Sequence, residues 1–341
     1  MRRLRVLVLV HEDLVPPDSD QGVDDKAMLN CQTEYDVCVA LREAGHDVRV
    51  LGLRYDLGVL RKTLQEWMPH ISFNLLEEFH DVTAYDHHVV AYLELMKQRY
   101  TGCNPSGLFL SRDKALSKKI MIYHRIPTAR FTIGKAGRRI AGLGKLRYPL
   151  MIKSATEDAS LGIAQASRVM DEDKVRERVA FIHEQTGTDA LIEEYIDGRE
   201  LYLGVMGNHR LKTFPVWEMD FGSLPADSAR VATRKVKWDL AYRKKYGISS
   251  KRATDIPPEL EKRIQKIGRR VYKGLQLSGY ARIDLRLTED EKVYVLEANA
   301  NPELSYGDDF AESAEAAGYS YHQLLEQIMR MGLGYRAAWH E

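Results

Sequence analysis

Apolar residues come in short runs separated by polar loops along the first third of the chain. Such a run predicts a buried strand, and apolar residues at helical spacing between two runs predict a connecting helix. Because a strand, a helix and a second strand in this order lie parallel, the pattern predicts a parallel-sheet domain that closes near residue 110. The predicted elements are strands over 4–10, 47–51 and 71–75 and helices from about Thr33 up to Gly45 and over 84–96.

Beyond this domain, strands and helices predict two further units of mixed α and β structure. Two of the strands stand on either side of Asp197 and Gly198, a pair of residues that is typical of a tight turn. The domain limits that follow are 1–111, 112–205 and 206–341. The predicted elements are helices over 112–123, from Asp171, over 258–275 and over 319–331, and strands over 148–153, 190–196 and 200–205.

Within the last unit, residues 280–302 predict a β-hairpin. The first arm alternates strictly between apolar and polar residues, and a polar cluster then supplies the turn. If the turn is centred between residues 290 and 291, Asp284 lies directly opposite Glu297 on the polar face. Opposed side chains in such a pair are roughly 5 Å apart, and two carboxylates at this distance repel each other. A hairpin without a bound cation would therefore not favour this arrangement.

The opposed carboxylates have two explanations. The same register puts Asn299 opposite Arg282, so that Asp284, Glu297 and Asn299 share one face. An all-oxygen set of this kind suits magnesium, and a divalent cation between the two acids would remove the repulsion. The alternative is a surface hairpin in which Arg282 and Arg286 neutralise the acids. The spacing by itself leaves both explanations open.

Size and composition limit the classes of protein to which the chain can belong. A length of 341 residues predicts two or three domains. Apolar residues make up 44% and charged residues 29%, as in ordinary globular proteins, and 50 basic residues nearly balance 49 acidic ones. This balance argues against nucleic acid or an anionic membrane as the main partner. Three cysteines without a CxxC pair indicate a reducing cytoplasm, and no apolar run is long enough to cross a membrane.

Several short motifs follow one another along the chain. They are Arg112-Asp113-Lys114, Pro149 to Lys153, Ser160-Leu161-Gly162, Glu193 to Ile196 with Glu200, Arg282 to Asp284, and Glu297 to Asn299. As an ordered set they resemble the ATP-grasp fold, and within it the D-alanine–D-alanine ligase branch, over most of the chain. The resemblance implies an α/β (α+β) protein with an N-terminal Rossmann-like parallel-sheet domain, a small central α+β domain and a C-terminal α+β domain.

The resemblance implies a site for ATP. Two lysines would approach the phosphates as point charges, and the loop over 154–162 would fold over the phosphates with its backbone N–H groups. Two glutamates would bind adenine and ribose, and nearby backbone groups would recognise the adenine edge. Considered without the family, these side chains are equally consistent with surface lysine and exposed strand positions. The implied residues are Lys114, Lys153, Ser160, Glu193, Tyr195, Ile196 and Glu200.

The resemblance also implies the groups that assist phosphoryl transfer. Arg282 matches an arginine that stabilises the phosphoryl group in transit, and Lys237 resembles a lysine on a flexible loop that closes over the γ-phosphate. The alternative for the basic stretch over 230–245 is a solvated helix. The residues that match the family's ligands for magnesium, with manganese as an alternative ion, are Asp284, Glu297 and Asn299.

The implied reaction is ATP-dependent ligation of a carboxylate to an amine. A substrate carboxylate attacks the γ-phosphoryl group and becomes an acylphosphate, and the amine of a second substrate then attacks the acyl carbon. The resemblance implies small amino acids or peptides as substrates, a cytoplasmic homodimer, and no nucleic-acid or membrane partner. Rival hypotheses are a nucleotide-binding module without ligase activity, which would be a sensor or partner protein, and a kinase that stops at the acylphosphate.

The expected amino-acid pockets depart from those of a plain D-alanine–D-alanine ligase. Where family members carry a small Ser-Leu pair, gap-free alignment puts Asp308 and Asp309, which would repel a carboxylate and favour an amine or a cationic group. The alternative is that this pair caps the next helix. Glu34 is a candidate for a glutamate of the first-substrate network, and Ala159 replaces one of two loop serines. The expected substrate contacts are His80, or Glu77 with a different gap, Tyr306, Asp308 and Asp309.

Overall fold

The chain begins with a small parallel sheet, as its pattern of apolar runs predicts. The computed structural model describes residues 2–19, 24–157, 165–225 and 230–337. Residues Val6 to Val10 of the middle strand are fully buried, which explains why they are apolar throughout and do not alternate. The unit contains strands β1 (Arg5–His11), β2 (Asp47–Leu53) and β3 (Ile71–Asn74) in the order β2-β1-β3, and helices α1 (Asp25–Asn30), α2 (Gln32–Glu43), α3 (Leu57–Trp67) and α4 (Asp86–Leu95).

A second, antiparallel sheet follows two short helices. Asp113 separates these helices, because its side chain accepts a hydrogen bond from the Leu116 backbone and so caps the second one. The helix that begins after Asp171 buries its apolar stripe against the sheet. The unit contains helices α5 (Pro105–Arg112) and α6 (Lys114–Tyr123), strands β4 (Phe131–Gly134), β5 (Leu150–Ser154) and β6 (Arg168–Val169), helix α7 (Glu172–Thr186) and strand β7 (Ala190–Glu194), in the sheet order β4-β7-β5-β6.

The third sheet has six strands among the described residues and carries the predicted hairpin at one edge. One side of it packs against a long helix whose Ile264 and Val271 belong to the main apolar core. Its elements are β8 (Arg199–Met206), β9 (Lys212–Thr213), β10 (Trp217–Asp220), α8 (Arg234–Trp238), α9 (Leu240–Tyr246), β11 (Ser249–Arg252), α10 (Pro258–Gly274), β12 (Tyr280–Leu287), β13 (Val293–Ala300), α11 (Asp309–Ala316) and α12 (Tyr321–Gly334), with the strand order β11-β10-β8-β12-β13 and β9 beside β8.

The Asp197-Gly198 segment does not join two paired strands. The strand before it, β7, belongs to the second sheet, and the strand after it, β8, lies in the third sheet between β10 and β12. Gly198 has φ +143°, and a Cβ there would lie 2.2 Å from the carbonyl oxygen of Leu287, so the chain crosses between sheets against the end of β12. We therefore propose that the second domain ends near residue 198 and not at residue 205.

The first and third units share apolar cores, and a hydrogen bond between Cys103 and Asn301 joins them. One core joins β1 and α2 to α11 and α12. At the junction, Asn301 Oδ1 accepts a hydrogen bond from the Cys103 backbone at 2.7 Å. Gly102 has φ +90°, and a Cβ there would lie 2.5 Å from Asn301 Oδ1. This close approach fixes the end of β13 relative to the first unit.

Replacement of Gly102 by Ala should therefore destabilise the protein in two ways. The residue would keep an unfavourable positive φ, and its Cβ would displace Asn301. We expect a loss of roughly 2–4 kcal/mol in the free energy of unfolding, measured by urea denaturation. The matched control is Gly45→Ala, because Gly45 has φ +83° but no atom lies within 4 Å of the place that a Cβ would take. Equal losses in the two variants would contradict the role of the Asn301 contact.

Candidate active site

The predicted hairpin forms, and its polar residues pair in the predicted register. Asp284 of β12 lies opposite Glu297 of β13, and Arg282 lies opposite Asn299. Closer to the turn the pairing shifts by one residue, because the loop is centred on Asp290 and not between residues 290 and 291. A bulge next to Asp284 offsets this shift. The predicted register is therefore confirmed at the polar pairs.

Both of the opposed carboxylates have a basic partner. Arg282 donates from Nε to Asp284 Oδ1 at 2.8 Å and from Nη2 to Oδ2 at 3.1 Å, and its guanidinium lies over the Tyr202 ring. Lys153 Nζ donates to Glu297 Oε2 at 3.3 Å. Burial raises the pKa of the Asp284 carboxyl, although the Arg282 charge acts in the opposite direction. Asp284 is only 4% exposed, so this is not the surface hairpin of the alternative explanation.

Lys153 is the centre of a buried network of charges. Its Nζ lies 3.1 Å from Glu193 Oε1 as well as near Glu297, and Lys118 Nζ lies 2.7 Å from Glu193 Oε2. Burial opposes the charged forms, but the opposite charges outweigh it, so that the pKa of Lys153 is raised and the pKa values of both glutamates are lowered. Sequence reasoning missed Lys118. Its spacing of four residues from Lys114 on α6 could have indicated it, because residues so spaced share a helix face.

A pocket opens beside this network, with walls from the second and third sheets and from α8. Met151, Val231, Ala232 and Leu296 give it apolar walls, and charged side chains make up much of the remaining lining. A concave site in which apolar walls and charged groups converge suits a charged small molecule. The predicted residues that the structure brings to this pocket are Lys153, Glu193, Tyr195, Ile196, Glu200, Lys237, Asp284 and Glu297.

Arg286 of β12 also lines the pocket and bonds a different glutamate from those that Lys153 contacts. Its Nη2 donates to Glu200 Oε2 at 2.7 Å, and its Nη1 donates to the Gly198 carbonyl oxygen at 2.8 Å. Tyr202 Oη donates to the other oxygen of Glu200 at 2.9 Å. The sequence indicated Arg286 only as a neutralising charge on the hairpin. Its contact with Glu200 depends on the pairing of β12 with β8, which the local pattern does not reveal.

Two further predicted lysines approach Glu297. Most of the basic stretch over 230–245 lies in helices α8 and α9, as the alternative of a solvated helix predicts. Lys237 of α8 nevertheless lines the pocket. Lys114 Nζ donates to the Glu157 carbonyl oxygen at 2.8 Å. Burial by itself would raise the pKa of the Glu297 carboxyl, but the charges of both lysines help to lower it. The predicted phosphate contact Ser160 lies outside the described residues.

A second group of acids lies where α2 meets the segment after β13. Glu34 of α2 is only 6% exposed. Burial raises the pKa of the Glu34 carboxyl to about 7, and the charges of Glu77 and Glu303 act in the same direction. Thr33 Oγ1 bonds both Glu303 Oε1 and Ser305 Oγ, which holds the two segments together. The structure thus brings Glu34 and Glu77 together, two residues that the sequence indicated only as candidates.

Asp308 and Asp309 stand at the start of α11. Asp308 takes the N-cap position, but its side chain makes no capping hydrogen bond. Its Oδ2 is buried and has no hydrogen-bond partner in the described part of the chain. Burial raises the pKa of the Asp308 carboxyl to about 7, with help from Asp309 and Glu303, whereas Arg282 opposes this effect. The pair therefore begins the helix without capping it by a side-chain bond.

Two expected substrate contacts do not join this group. His80 is exposed, has φ 59°, and packs its ring edge-on against Tyr55 at 5.3 Å. Its backbone N–H donates to the Arg54 carbonyl oxygen at 2.7 Å and so keeps the residue in this orientation. Tyr306 is 68% exposed and packs against Tyr321. Of the two alternatives that different gaps allow, we propose Glu77, because its charge acts on Glu34, although Glu77 and His80 are both exposed.

Three oxygen-bearing side chains fit a divalent cation. Asp284, Glu297 and Asn299 lie on one face of the hairpin, and two carboxylates with an amide oxygen suit magnesium. Asn299 Nδ2 is buried without a hydrogen-bond partner among the described residues, so this end of the amide is not committed to another protein group there. Lys153 bonds Oε2 of Glu297, and a carboxylate accepts more than one bond. The residues present therefore fit this ion.

His11, Glu78 and Asp81 form another group of residue types that bind metals, but this group fits a metal less well. His11 Nε2 lies 3.5 Å from Glu78 Oε1 and 3.7 Å from Asp81 Oδ1. However, His11 Nδ1 accepts a hydrogen bond from the Asp13 backbone, so that Nε2 carries the proton in the neutral ring. Arg54 Nε also donates to Asp81 Oδ1 at 2.8 Å, which gives this acid a partner within the protein.

The raised pKa of Glu34 predicts that stability falls with increasing pH. A carboxyl whose pKa is higher in the folded state stabilises that state below its unfolded pKa and loses this contribution as the pH passes the folded value of about 7. Between pH 6 and pH 8.5 we expect the loss from Glu34 to be roughly 1 kcal/mol in the free energy of unfolding. Glu34→Gln should remove this loss in urea denaturation. Glu66→Gln, at an exposed position, is the control, and an unchanged pH dependence in Glu34→Gln would contradict the assignment.

Comparisons of sequence identify a family and relatives of this chain. The model of the family described as D-ala D-ala ligase C-terminus matches residues 135–330. Uncharacterized protein y4sG of Sinorhizobium fredii is 31% identical over 305 residues, which cover 86% of this chain and 85% of that protein. A D-alanine–D-alanine ligase of Desulforudis audaxviator is 28% identical over 317 residues, which cover 91% of this chain and 95% of that protein.

Solved structures share the fold along almost the whole chain. The D-alanine–D-alanine ligase from Bacillus anthracis complexed with ATP has a TM-score of 0.75 and 22% identity, and the match covers 97% of this chain and 98% of that one. The VanG D-Ala:D-Ser ligase from Enterococcus faecalis has a TM-score of 0.73 and 18% identity, with 97% and 100% covered. The predicted ATP-grasp fold is confirmed. The chain belongs to the D-alanine–D-alanine ligase-like family of ATP-grasp carbon–nitrogen ligases.

Proposed function

We propose that the protein is an ATP- and magnesium-dependent ligase that joins a carboxylate to an amine through an acylphosphate, with substrates other than two D-alanines. The observation that carries this proposal is the position of Lys153. It contacts Glu193 on one side and Glu297 on the other, and so connects the nucleotide pocket to the predicted metal ligands. Small amino acids or peptides are the proposed substrates.

The two ends of the pocket suit the two ends of ATP. Glu200, held by Arg286 and Tyr202, would bind the ribose, and the backbone at Tyr195 and Ile196 would receive the adenine edge. At the opposite end Lys153, Lys237 and Lys114 provide positive charge for the phosphates. Phosphate binding would take Lys153 away from at least one of its glutamates. The loop that contains Ser160 is proposed to cover the phosphates.

Asp284, Glu297 and Asn299 would hold the magnesium ion, which would neutralise charge on the phosphates when bound. The carboxylate ligands are already surrounded by basic groups, since Arg282 bonds Asp284 and Lys153 bonds Glu297. These contacts favour the ionised form of both acids although they are buried. The basic groups therefore stand beside the acids before a nucleotide arrives, which reduces the rearrangement that binding requires.

The chemistry has two proposed steps. In the first, a carboxylate oxygen of one substrate attacks the γ-phosphorus, the bond to the bridging oxygen breaks, and ADP leaves. In the second, a neutral amine attacks the acyl carbon, phosphate leaves, and the nitrogen loses a proton as the amide forms. Arg282 and Lys237 would stabilise the transferring phosphoryl group, chiefly by position and charge. Closure by α8 and its flanking loops would exclude water, which hydrolyses acylphosphates.

Two substitutions test this proposal. Glu297→Gln removes a ligand charge but keeps the shape, and Lys153→Ala removes the central cation. Each should lower substrate-dependent ADP release by about 100-fold or more, measured with magnesium, ATP and pairs of amino acids or dipeptides. Thermal melting of each variant separates lost chemistry from lost folding, because Lys153→Ala also leaves two buried glutamates without their partner.

The matched controls come from α10, where Lys262 and Glu259 form an exposed ion pair at 2.8 Å. Lys262→Ala and Glu259→Gln remove the same charges far from the pocket and should keep full activity. Undiminished turnover in Glu297→Gln would overturn the site. ATP binding without any substrate-dependent ADP release would favour the nucleotide-binding module, and release of an acylphosphate without an amide would favour the kinase.

Other properties of the protein stay predictions. A homodimer is usual for the family, and sedimentation of the purified chain would test it. No helix among the described residues is long and apolar enough to cross a membrane.

A further inference from the structure

Glu193 has two cationic partners in the buried network, one beside each carboxylate oxygen. Lys153 Nζ lies 3.1 Å from Oε1, and Lys118 Nζ lies 2.7 Å from Oε2. Glu193 is only 3% exposed, so both contacts lie away from water. Lys153 Nζ also donates to Glu297 Oε2 at 3.3 Å. Two lysines thus compensate two glutamates, and Lys153 is the partner that the glutamates share.

The two lysines differ in how firmly the protein holds them. Lys118 Nζ donates to Thr128 Oγ1 at 2.7 Å, and the Thr128 hydroxyl donates to the Val295 carbonyl oxygen of β13 at 2.8 Å. A hydroxyl has a single proton, so this donation leaves its oxygen to accept from the lysine. Lys118 is 1% exposed and is not part of the pocket wall, whereas Lys153 lines the pocket. Lys153 can therefore turn toward a ligand in the pocket, while Lys118 is held behind the wall.

This difference matters when the phosphates of a nucleotide enter the pocket, because they would need the charge of Lys153. If Lys153 were the sole partner of both glutamates, its departure would leave buried carboxylates without compensation, which is costly. Glu193, however, would keep Lys118, and Glu297 would gain the magnesium ion as a partner. Each carboxylate thus has a substitute for Lys153, one from the protein and one from the ligand.

We propose that Lys118 is a positioning residue that releases Lys153 for the phosphates. This inference rests on the proposed ligase function and gives a role to a residue that does not touch the nucleotide. Without nucleotide, Lys153 contacts both glutamates. With nucleotide, its charge serves the phosphates, and Lys118 holds Glu193 in the ionised form on β7. Since Glu193 lines the pocket, the same contact preserves the wall that the nucleotide meets.

Two other roles for Lys118 make different predictions. A lysine that only stabilised the fold would affect the binding of every ligand of the pocket, with or without phosphates. A lysine that attracted the phosphates from a distance would act whether or not Glu193 is charged. The proposed role requires that the effect of Lys118 on phosphate binding depends on the charge of Glu193. A double-mutant cycle measures this dependence directly.

Lys118→Met removes the charge and keeps an unbranched side chain. Calorimetric titrations at pH 8 with the full chain compare a non-hydrolysable ATP analogue in the presence of magnesium with adenosine, which has no phosphates. The analogue should bind about tenfold more weakly or worse, because Lys153 must then stay with Glu193. Adenosine binding should stay within about twofold, because adenosine does not draw Lys153 away.

The second arm of the cycle uses Glu193→Gln, which keeps the shape of the side chain and removes its charge. In this background Lys153 no longer has to compensate residue 193. The addition of Lys118→Met should therefore change the affinity for the ATP analogue by less than about twofold, relative to Glu193→Gln by itself. Rescue of this kind is not expected from a lysine that only stabilises the fold or only attracts phosphates.

Two further variants keep the test sharp. Lys119→Met removes the same charge from the next residue of α6, which is exposed, and should leave the affinity for the analogue within about twofold. Lys118→Gln removes the charge but keeps a hydrogen-bond donor, and it should lose as much affinity as Lys118→Met. Thermal melting checks that each variant folds, and Lys118→Gln decides the test if Lys118→Met does not fold.

The outcomes separate this inference from the proposed function. Undiminished binding of the ATP analogue in the Lys118 variants, or the same loss in the Glu193→Gln background, would overturn the role of Lys118 and leave the ligase proposal in place. Equal losses for the analogue and for adenosine would assign Lys118 to the fold and would also overturn it. If the analogue does not bind to the unaltered chain, the proposed ligase function fails, and this inference fails with it.

Discussion

The buried ion pairs around Lys153 hold the active-site region together. Lys153 on β5 bonds Glu193 on β7 and Glu297 on β13, and Lys118 on α6 bonds Glu193. Charges removed from water are stable only when opposite charges compensate them at close range. Since the partners come from the second and third sheets, the network requires these sheets to stand at one relative position. The proposed nucleotide pocket is the space that this requirement leaves between them.

The lysines of this network determine the charge state of Glu297. Burial by itself would raise the pKa of this carboxyl, but the charges of Lys153, Lys114 and Lys237 lower it. Away from the lysines the balance is different. Burial raises the pKa values of Glu34 and Asp308 to about 7, and neighbouring acids, among them Glu303, act in the same direction. The same residue type thus has a lowered or a raised pKa according to the charges that the fold places beside it.

The hairpin shows why part of the site was predictable. Strict alternation identifies the polar face of β12, and a short turn limits the possible registers, so that Asp284 and Glu297 could be paired from local pattern. The turn is centred on residue 290, half a residue from the predicted centre. The predicted pairs still form, because the bulge next to Asp284 restores the predicted register beyond it. Local patterns were less informative at Gly198. There Asp197 and Gly198, a pair of residues typical of a tight turn, connect strands of two different sheets. The close approach of the chain to Leu287 explains why a glycine is needed.

The sequence by itself determined the parallel first sheet, the register of the polar pairs in the hairpin and, through the order of its motifs, the fold. These depend on periodicity and on short spacing, which neighbouring residues set. Tertiary structure decided which charges meet. The bond of Arg286 to Glu200 and the ion pair of Lys118 with Glu193 both depend on packing between distant segments. Burial also decides how strongly such charges interact, and burial is a property of the assembled fold.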